Sequence, residues 1–211
     1  MSLKYMDEEI IKLMVEQEER EELAAREAAV RAETTSQTIY DGQVTVLGET
    51  IQFAPRDLLA GTIRMVLPEE WQDMPMELVK TKYPYESRPQ VILTDYTTTV
   101  NLTIKPLAQR LRNEQVADFA AALKLLTGKS MKASFLEEGF IENRENRLPV
   151  AWYDFILPAA DEEIYNLMGC IVLDGQAVLI TFNCLAKEQA RWKPVALEMM
   201  GTLQFVYQEQ R

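Results

Sequence analysis

The chain has 211 residues, 26% of them charged, and a formal net charge of −11. That balance excludes a nucleic-acid partner, because neutralising phosphates takes clustered lysine and arginine. The absence of histidine removes Ser–His and Cys–His nucleophiles and the histidine-based metal sites. No apolar run approaches the ~18 to 20 residues that span a bilayer, and no basic start leads into an apolar block. We expect a cytoplasmic protein with no membrane partner.

Asp7 to Glu33 reads as one long helix: it holds no Gly or Pro and is dominated by Glu, Ala, Leu and Arg. Ten acids and four bases give it more than half of the net charge. Ile10, Ile11, Met14 and Val15 form a short apolar stripe, and Ala25, Ala28, Ala29 and Ala32 continue it weakly. The pattern lacks the sustained heptads of a coiled coil. It predicts a solvated leader, or a helix whose Ile/Met end docks on a partner or on a second copy as a homodimer contact.

Thr34-Thr35-Ser36 breaks the helix. We place an acidic N-terminal helix at 1–34 and one sandwich domain at 35–211. Strand patterns then begin, with Thr38–Tyr40 and Gln43–Val46 expected to pair across Asp41-Gly42. Leu47-Gly48-Glu49 turns the chain into Thr50–Phe53, and Ile63–Leu67 is a strand stopped by Pro68. Glu69–Trp71 reads as a single turn, Pro75–Lys80 as a short helix with Pro first, and Tyr83–Pro89 as a loop stiffened by two prolines.

Val91–Thr94 and Val100–Ile104 form the next strand pair. Asn113 is expected to cap a helix that stops at Gly128, with Val116, Phe119, Ala120, Leu123 and Leu126 facing the core. Lys132–Ile141 and Pro149–Leu157 are strands around the turn Asn143–Arg147.

Tyr165–Leu185 is the most informative stretch. Asp174-Gly175 between two apolar runs is a strong hairpin signal, because both turn positions favour φ > 0. The register pairs Leu173 with Gln176, Ile171 with Val178 and Cys170 with Leu179. Both faces are apolar, so this hairpin is central and covered on two sides. Cys170 and Cys184 fall on opposite faces and are read as reduced, buried thiols, consistent with a reducing compartment. Lys187–Met200 is the last helix, with Pro194 implying a start near Arg191 or a kink. Leu203–Tyr207 closes the chain as a strand. The class is α+β: a largely antiparallel β-sheet covered by helices on both faces, a three-layer sandwich, with a long N-terminal helix.

The run Ile63-Arg64-Met65-Val66-Leu67-Pro68-Glu69-Glu70-Trp71 resembles the apolar strand, Pro, Trp entry of the PsbP/Mog-type α/β/α sandwich proteins, with DcrB-like bacterial members the nearest in pattern. The resemblance covers Ile63 to Tyr207 and extends to the element order. It implies an antiparallel sheet between helical layers and a binding, assembly or chaperone-like role, in some members associated with secretion systems. DcrB-like lipoproteins carry an anchoring Cys near the start; this chain has none there, so membrane attachment is not carried over. No site residue is carried over either.

Few residues offer chemistry. Gly128-Lys129-Ser130 imitates the end of a phosphate-binding loop, but Leu123 stands at the upstream glycine position and a helix precedes it. Two Cys without His make no zinc set. Glu137 and Glu138 are adjacent in a strand and point apart, and Asp161–Glu163 sit in a turn where solvated acids are ordinary. No catalytic residue, metal site or cofactor is expected. Lys80, Lys82, Tyr83, Tyr85 and Arg88 form the one basic and aromatic cluster. It is read as the rim of a protein-binding surface, with the tyrosines packing the loop down. Met74, Met76, Met199 and Met200 are read as core fillers.

The residues favour a non-enzymatic protein-binding module, adaptor or chaperone-like. Candidate partner contacts are Ile10, Ile11, Met14, Val15, Lys80, Lys82, Tyr85 and Arg88. The alternative is a carboxylate-dependent small-molecule enzyme with a pocket between sheet and helix, which requires two acids converging there with pKa values pushed apart.

Overall fold

A computed structural model describes residues 37–142, 148–159 and 161–206. The expected leader helix, with Ile10, Ile11, Met14 and Val15, lies outside them, as do the Asn143–Arg147 turn and Tyr207. The strands are β1 (Gln43–Val46), β2 (Glu49–Leu58), β3 (Ile63–Pro68), β4 (Gln72–Asp73), β5 (Val91–Thr94), β6 (Asn101–Arg110), β7 (Ser134–Ile141), β8 (Val150–Pro158), β9 (Glu163–Leu173), β10 (Gln176–Leu185) and β11 (Gln204–Phe205). The helices are α1 (Met76–Lys82), α2 (Val116–Ser130) and α3 (Gln189–Gly201).

The strands form two sheets rather than one. The smaller runs β1-β2-β3-β11 and the larger β4-β5-β6-β10-β9-β8-β7. The pairings are antiparallel, and the class is α+β. The hairpin of β9 and β10 lies mid-sheet with the expected register, Leu173 against Gln176, Ile171 against Val178 and Cys170 against Leu179.

Period-2 alternation decides what each strand buries. Ile63, Met65 and Leu67 of β3 and Val44 and Val46 of β1 enter the main core. There they meet Ile171, Ile180 and Phe182 of the larger sheet and Trp192, Val195, Met199 and Met200 of α3. Alternate residues of β9 go elsewhere: Cys170 and Val172 pack with Val116 and Ala120 of α2, whereas Ile171 and Leu173 stay in the main core. The two thiols part in the same way, Cys184 in the main core and Cys170 under α2. A third, small cluster seats α1 through Val79 on Met74 and Ile92.

Polar side chains tie α3 into this frame. Buried Thr202 donates to the Met199 carbonyl at 2.6 Å and accepts the β3 amide of Val66 at 2.9 Å. Glu198 accepts the Ile39 amide at 2.9 Å and the Thr38 hydroxyl at 3.1 Å.

Several local expectations are corrected. Ile39–Asp41 is a 3₁₀ turn and not half of a hairpin; Glu198 takes the Ile39 amide that a strand partner would need, and Gly42 ends the turn at φ 82°. β1 pairs instead with β2 across Leu47-Gly48. A 3₁₀ turn at Asn113–Gln115 precedes α2, which runs through Gly128 to Ser130. The Phe135 ring lies 3.1 Å from where a Cβ on Gly128 would stand, so close packing and not chain reversal uses that glycine. Leu126 is 56% exposed and Met76 62% exposed, neither in the core. On α2 the inward position next to Leu126 is filled by Thr127, whose hydroxyl meets that of Tyr153 at 3.3 Å. α3 begins at Gln189, before Arg191, with Pro194 inside it.

Candidate functional site

A pocket of about 240 Å³ opens where the two sheets and the start of α3 come together. Four segments wall it: the β1–β2 turn with Val46, Leu47, Glu49 and Ile51; the end of β3 with Pro68, Glu70 and Trp71; the β5–β6 turn from Asp95 to Val100; and Glu188 and Trp192 at the start of α3. Each segment is there for a local reason. Leu47 takes the left-handed conformation, φ 55°, beside Gly48 at 83°, which gives the turn the twist a two-residue hairpin needs. Pro68 ends β3 in a turn closed by the Trp71 amide on the Pro68 carbonyl at 3.3 Å. Arg56 then holds the Trp71 carbonyl at 2.8 Å.

The floor is aromatic and aliphatic. Trp71 and Trp192 are 3% and 4% exposed, their ring centroids 6.1 Å apart, and Phe182 lies beneath both. The indole N–H of Trp192 is buried with no hydrogen-bond partner, alone in this among side-chain N and O atoms of the described residues.

The rim is acidic: Glu49, Glu70, Asp95 and Glu188 line the pocket, and no lysine or arginine does. Burial raises the Glu188 carboxyl above its ordinary range, Lys187 and Arg191 oppose that, and Asp95 and Glu162 add to it. Asp95 is occupied structurally, one oxygen accepting the Val100 amide at 3.1 Å and the other the Thr97 hydroxyl at 2.5 Å. Such a site can attract a cation and set it beside aromatic side chains; the Thr97 hydroxyl on Asp95 belongs to the β5–β6 turn.

No family model matches the chain, and no curated protein matches it. Among solved structures, the cyanobacterial PsbP protein CyanoP of Synechocystis sp. PCC 6803 is similar with a TM-score of 0.52 at 9% identity, over 73% of this chain and 92% of that one. The fold is of the PsbP type. The Ran-binding protein Mog1p of Saccharomyces cerevisiae is similar at a TM-score of 0.48 and 14% identity, over 74% of this chain and 96% of that one. LpqN, involved in cell envelope biogenesis of Mycobacterium tuberculosis, gives 0.48 at 11% identity, over 81% and 98%. The narrower resemblance to DcrB-like proteins has no counterpart among these three. At such identities the likeness is one of backbone arrangement and transfers no residue role.

Within this PsbP-type frame the basic and aromatic cluster is only partly gathered. Lys82 donates to the Thr98 carbonyl on the β5–β6 turn, beside the pocket. Burial lowers its pKa and Asp95 opposes that. Arg88 donates to the Tyr85 carbonyl at 3.1 Å, Lys80 is exposed on α1, and Tyr85 is 78% exposed. Tyr85 therefore does not pack the loop down as expected; half-buried Tyr83 does so, against the small α1 cluster of Met74, Val79 and Ile92. Glu137 and Glu138 pair with different lysines, Lys193 at 3.0 Å and Lys124 at 2.9 Å. No group of three or more potential metal ligands occurs among the described residues, and no helix among them is long and apolar enough to cross a membrane.

Sequence reasoning reached Trp71 through the Pro–Trp motif but missed Glu49, Glu70, Asp95, Glu188 and Trp192 as one site. They lie on four turns or element ends, and only the closure of two sheets joins them. Asp154 is a single acid inside the apolar run Val150–Leu157, a signal that marks a buried, paired carboxylate.

Proposed function

We propose that this protein is a non-enzymatic binding module, adaptor or chaperone-like, that takes a segment of another protein into the pocket floored by Trp71 and Trp192. The observation that carries this reading is the lining itself: four carboxylates over an aromatic floor with no lysine or arginine among them. We read the architecture as a three-layer sandwich, since α2 and α3 draw on alternate residues of β9. The buried thiols support a reducing, cytoplasmic setting. The leader stripe Ile10, Ile11, Met14 and Val15 is read as a second contact, with a partner or a second copy. Lys80, Lys82, Tyr85 and Arg88 are read as the neighbouring part of the surface.

The test is quantitative affinity capture with the full chain as bait, beside Glu70→Lys/Glu188→Lys and the distant control Glu114→Lys. A partner held by the wild type and the control, and lost by the pocket variant, supports the reading. A partner indifferent to the pocket charges removes it. Ile10→Glu/Met14→Glu in the full chain separates the leader: a dimer that becomes a monomer in light scattering assigns the contact to that stripe.

A carboxylate-dependent enzyme is the second reading, and one observation favours it. Glu188, raised by burial, shares the pocket with Asp95, which is the kind of environment that separates an acid from a base. Against it, both Asp95 oxygens are engaged by the β5–β6 turn. A substrate-panel turnover abolished by both Glu188→Gln and Asp95→Asn, with the fold retained, would reverse the preference.

A further inference from the structure

We propose that the occupant of this pocket is a basic peptide segment that inserts an arginine side chain, its guanidinium flat on the aromatic wall and its N–H groups on the rim carboxylates. This rests on the binding-module reading above and names the chemistry of the segment.

Size comes first. Pockets for drug-sized ligands run from roughly 300 to 1,000 Å³, and at about 240 Å³ this one is smaller. That space matches one long side chain entering from the open mouth. Charge comes next. Glu49, Glu70, Asp95 and Glu188 line one space with no lysine or arginine among them; Lys82, Lys187 and Arg191 act on Asp95 and Glu188 from outside it, so the lining itself favours a cation over an anion. Burial and the neighbouring acids already disfavour the Glu188 anion, and a bound cation relieves that.

The walls select the kind of cation. Trp71, Tyr96 and Trp192 line the pocket together with the carboxylates. A guanidinium is planar, stacks on aromatic faces and offers paired N–H donors to a carboxylate, whereas an ammonium is a compact point charge that prefers water. A separate observation points to peptide. The Trp192 N–H is buried without an acceptor, and an indole N–H is a donor only. Closed off as it stands, it gains an acceptor only if the Trp192 ring shifts as the pocket fills, and a peptide segment then has a carbonyl to offer beside its side chain.

The experiment titrates acetyl-Gly-Arg-Gly-amide into the full-length protein, read by tryptophan fluorescence and calorimetry. The lysine and citrulline versions and agmatine run in parallel. The arginine peptide is expected to saturate, the lysine peptide to bind more weakly, and the citrulline peptide to lose about tenfold or more. Added salt weakens the arginine peptide several-fold. Glu70→Gln and Glu188→Gln each weaken it, while Glu114→Gln does not. Melting curves and near-UV dichroism check that each variant is folded.

No saturable binding by the arginine peptide overturns the proposal, as does equal binding of arginine and citrulline peptides. Binding unchanged in both pocket variants also overturns it, since the contact then lies elsewhere on an acidic protein. Agmatine binding as tightly as the peptide makes the occupant a free guanidine and overturns the peptide part. A neutral peptide held by the wild type and lost in Trp71→Ala ends the cationic inference but keeps the pocket as a binding site. The capture experiment with Glu70→Lys/Glu188→Lys decides that broader reading separately.

Discussion

Lys193 of α3 donates to Asp154 of β8 at 2.6 Å, and the Asp154 carboxylate is wholly buried. The same carboxylate accepts the Glu137 amide at 2.6 Å and the Tyr165 hydroxyl at 2.9 Å. Lys193 also reaches Glu137 and lies over the Trp152 ring. These bonds pin the last helix to the β7–β8 side of the larger sheet. Removing one partner of a buried pair leaves the other charge uncompensated, at a cost of about 3 to 5 kcal/mol. Asp154→Ala is expected to lose stability in that range by urea denaturation. Asp154→Ala/Lys193→Met should recover part of the loss, and a double variant that is simply additive would contradict the pairing.

Two glycines separate rigid from yielding contact. A Cβ on Gly139 would stand 2.7 Å from the Trp152 ring. That ring cannot shift without disturbing Lys193, so Gly139→Ala is expected to cost about 1 to 3 kcal/mol. A Cβ on Gly169 would meet the Met200 sulfur at 2.9 Å and a Val150 methyl at 3.0 Å. Methionine adapts, so Gly169→Ala should cost less. Denaturant midpoints compare them, and a greater cost at Gly169 would be the wrong order.

The thiols give a chemical check. Burial pushes Cys170 up to about 12, and burial with nearby Glu188 pushes Cys184 further up. The thiolate is the reactive form, so both should resist a disulfide reagent in the native state at neutral pH. Both should titrate fully in urea. Rapid native reaction of either would mean that its strand opens.

Glu188 sets a pH dependence whose sign is fixed by the direction of its shift. Its folded-state pKa lies above the ordinary carboxylate value, with burial the largest cause. Such a group contributes stability that is fully present below the unfolded pKa and is lost as pH rises through the folded one. Charged Glu188 therefore weakens the fold at neutral pH. Glu188→Gln is expected to melt higher than the wild type there, with the gap closing as the pH falls through the carboxylate range. A gap that widens toward acid would reverse the assignment.

The fold was legible where the physics is local. Asp174-Gly175 fixes its hairpin register through turn geometry alone, and the alternation on β9 follows from the pleat. Thr38–Tyr40 misled because Asp41-Gly42 carries the same turn signal, and the competing demand came from Glu198, which the sequence places far away. Gly128 misled because a glycine that ends a helix and one that admits a ring read alike. The pocket was not legible at all: its acids stand in unrelated turns, each ordinary where it occurs, and only their convergence gives them meaning.

The bond from the Val66 amide to Thr202 joins residues 136 positions apart, and β11 completes the smaller sheet by pairing with β3. On the ribosome, β3 is therefore made long before the strand that will cover its free edge exists. Until then β3 has β2 on one side only, and the main core lacks its helix. Contacts of such long range form late and slowly, and an unpaired strand edge is where nascent chains stick to one another. This protein should depend on being shielded while it is synthesised, and truncations that remove β11 should fail by aggregation rather than by simple unfolding.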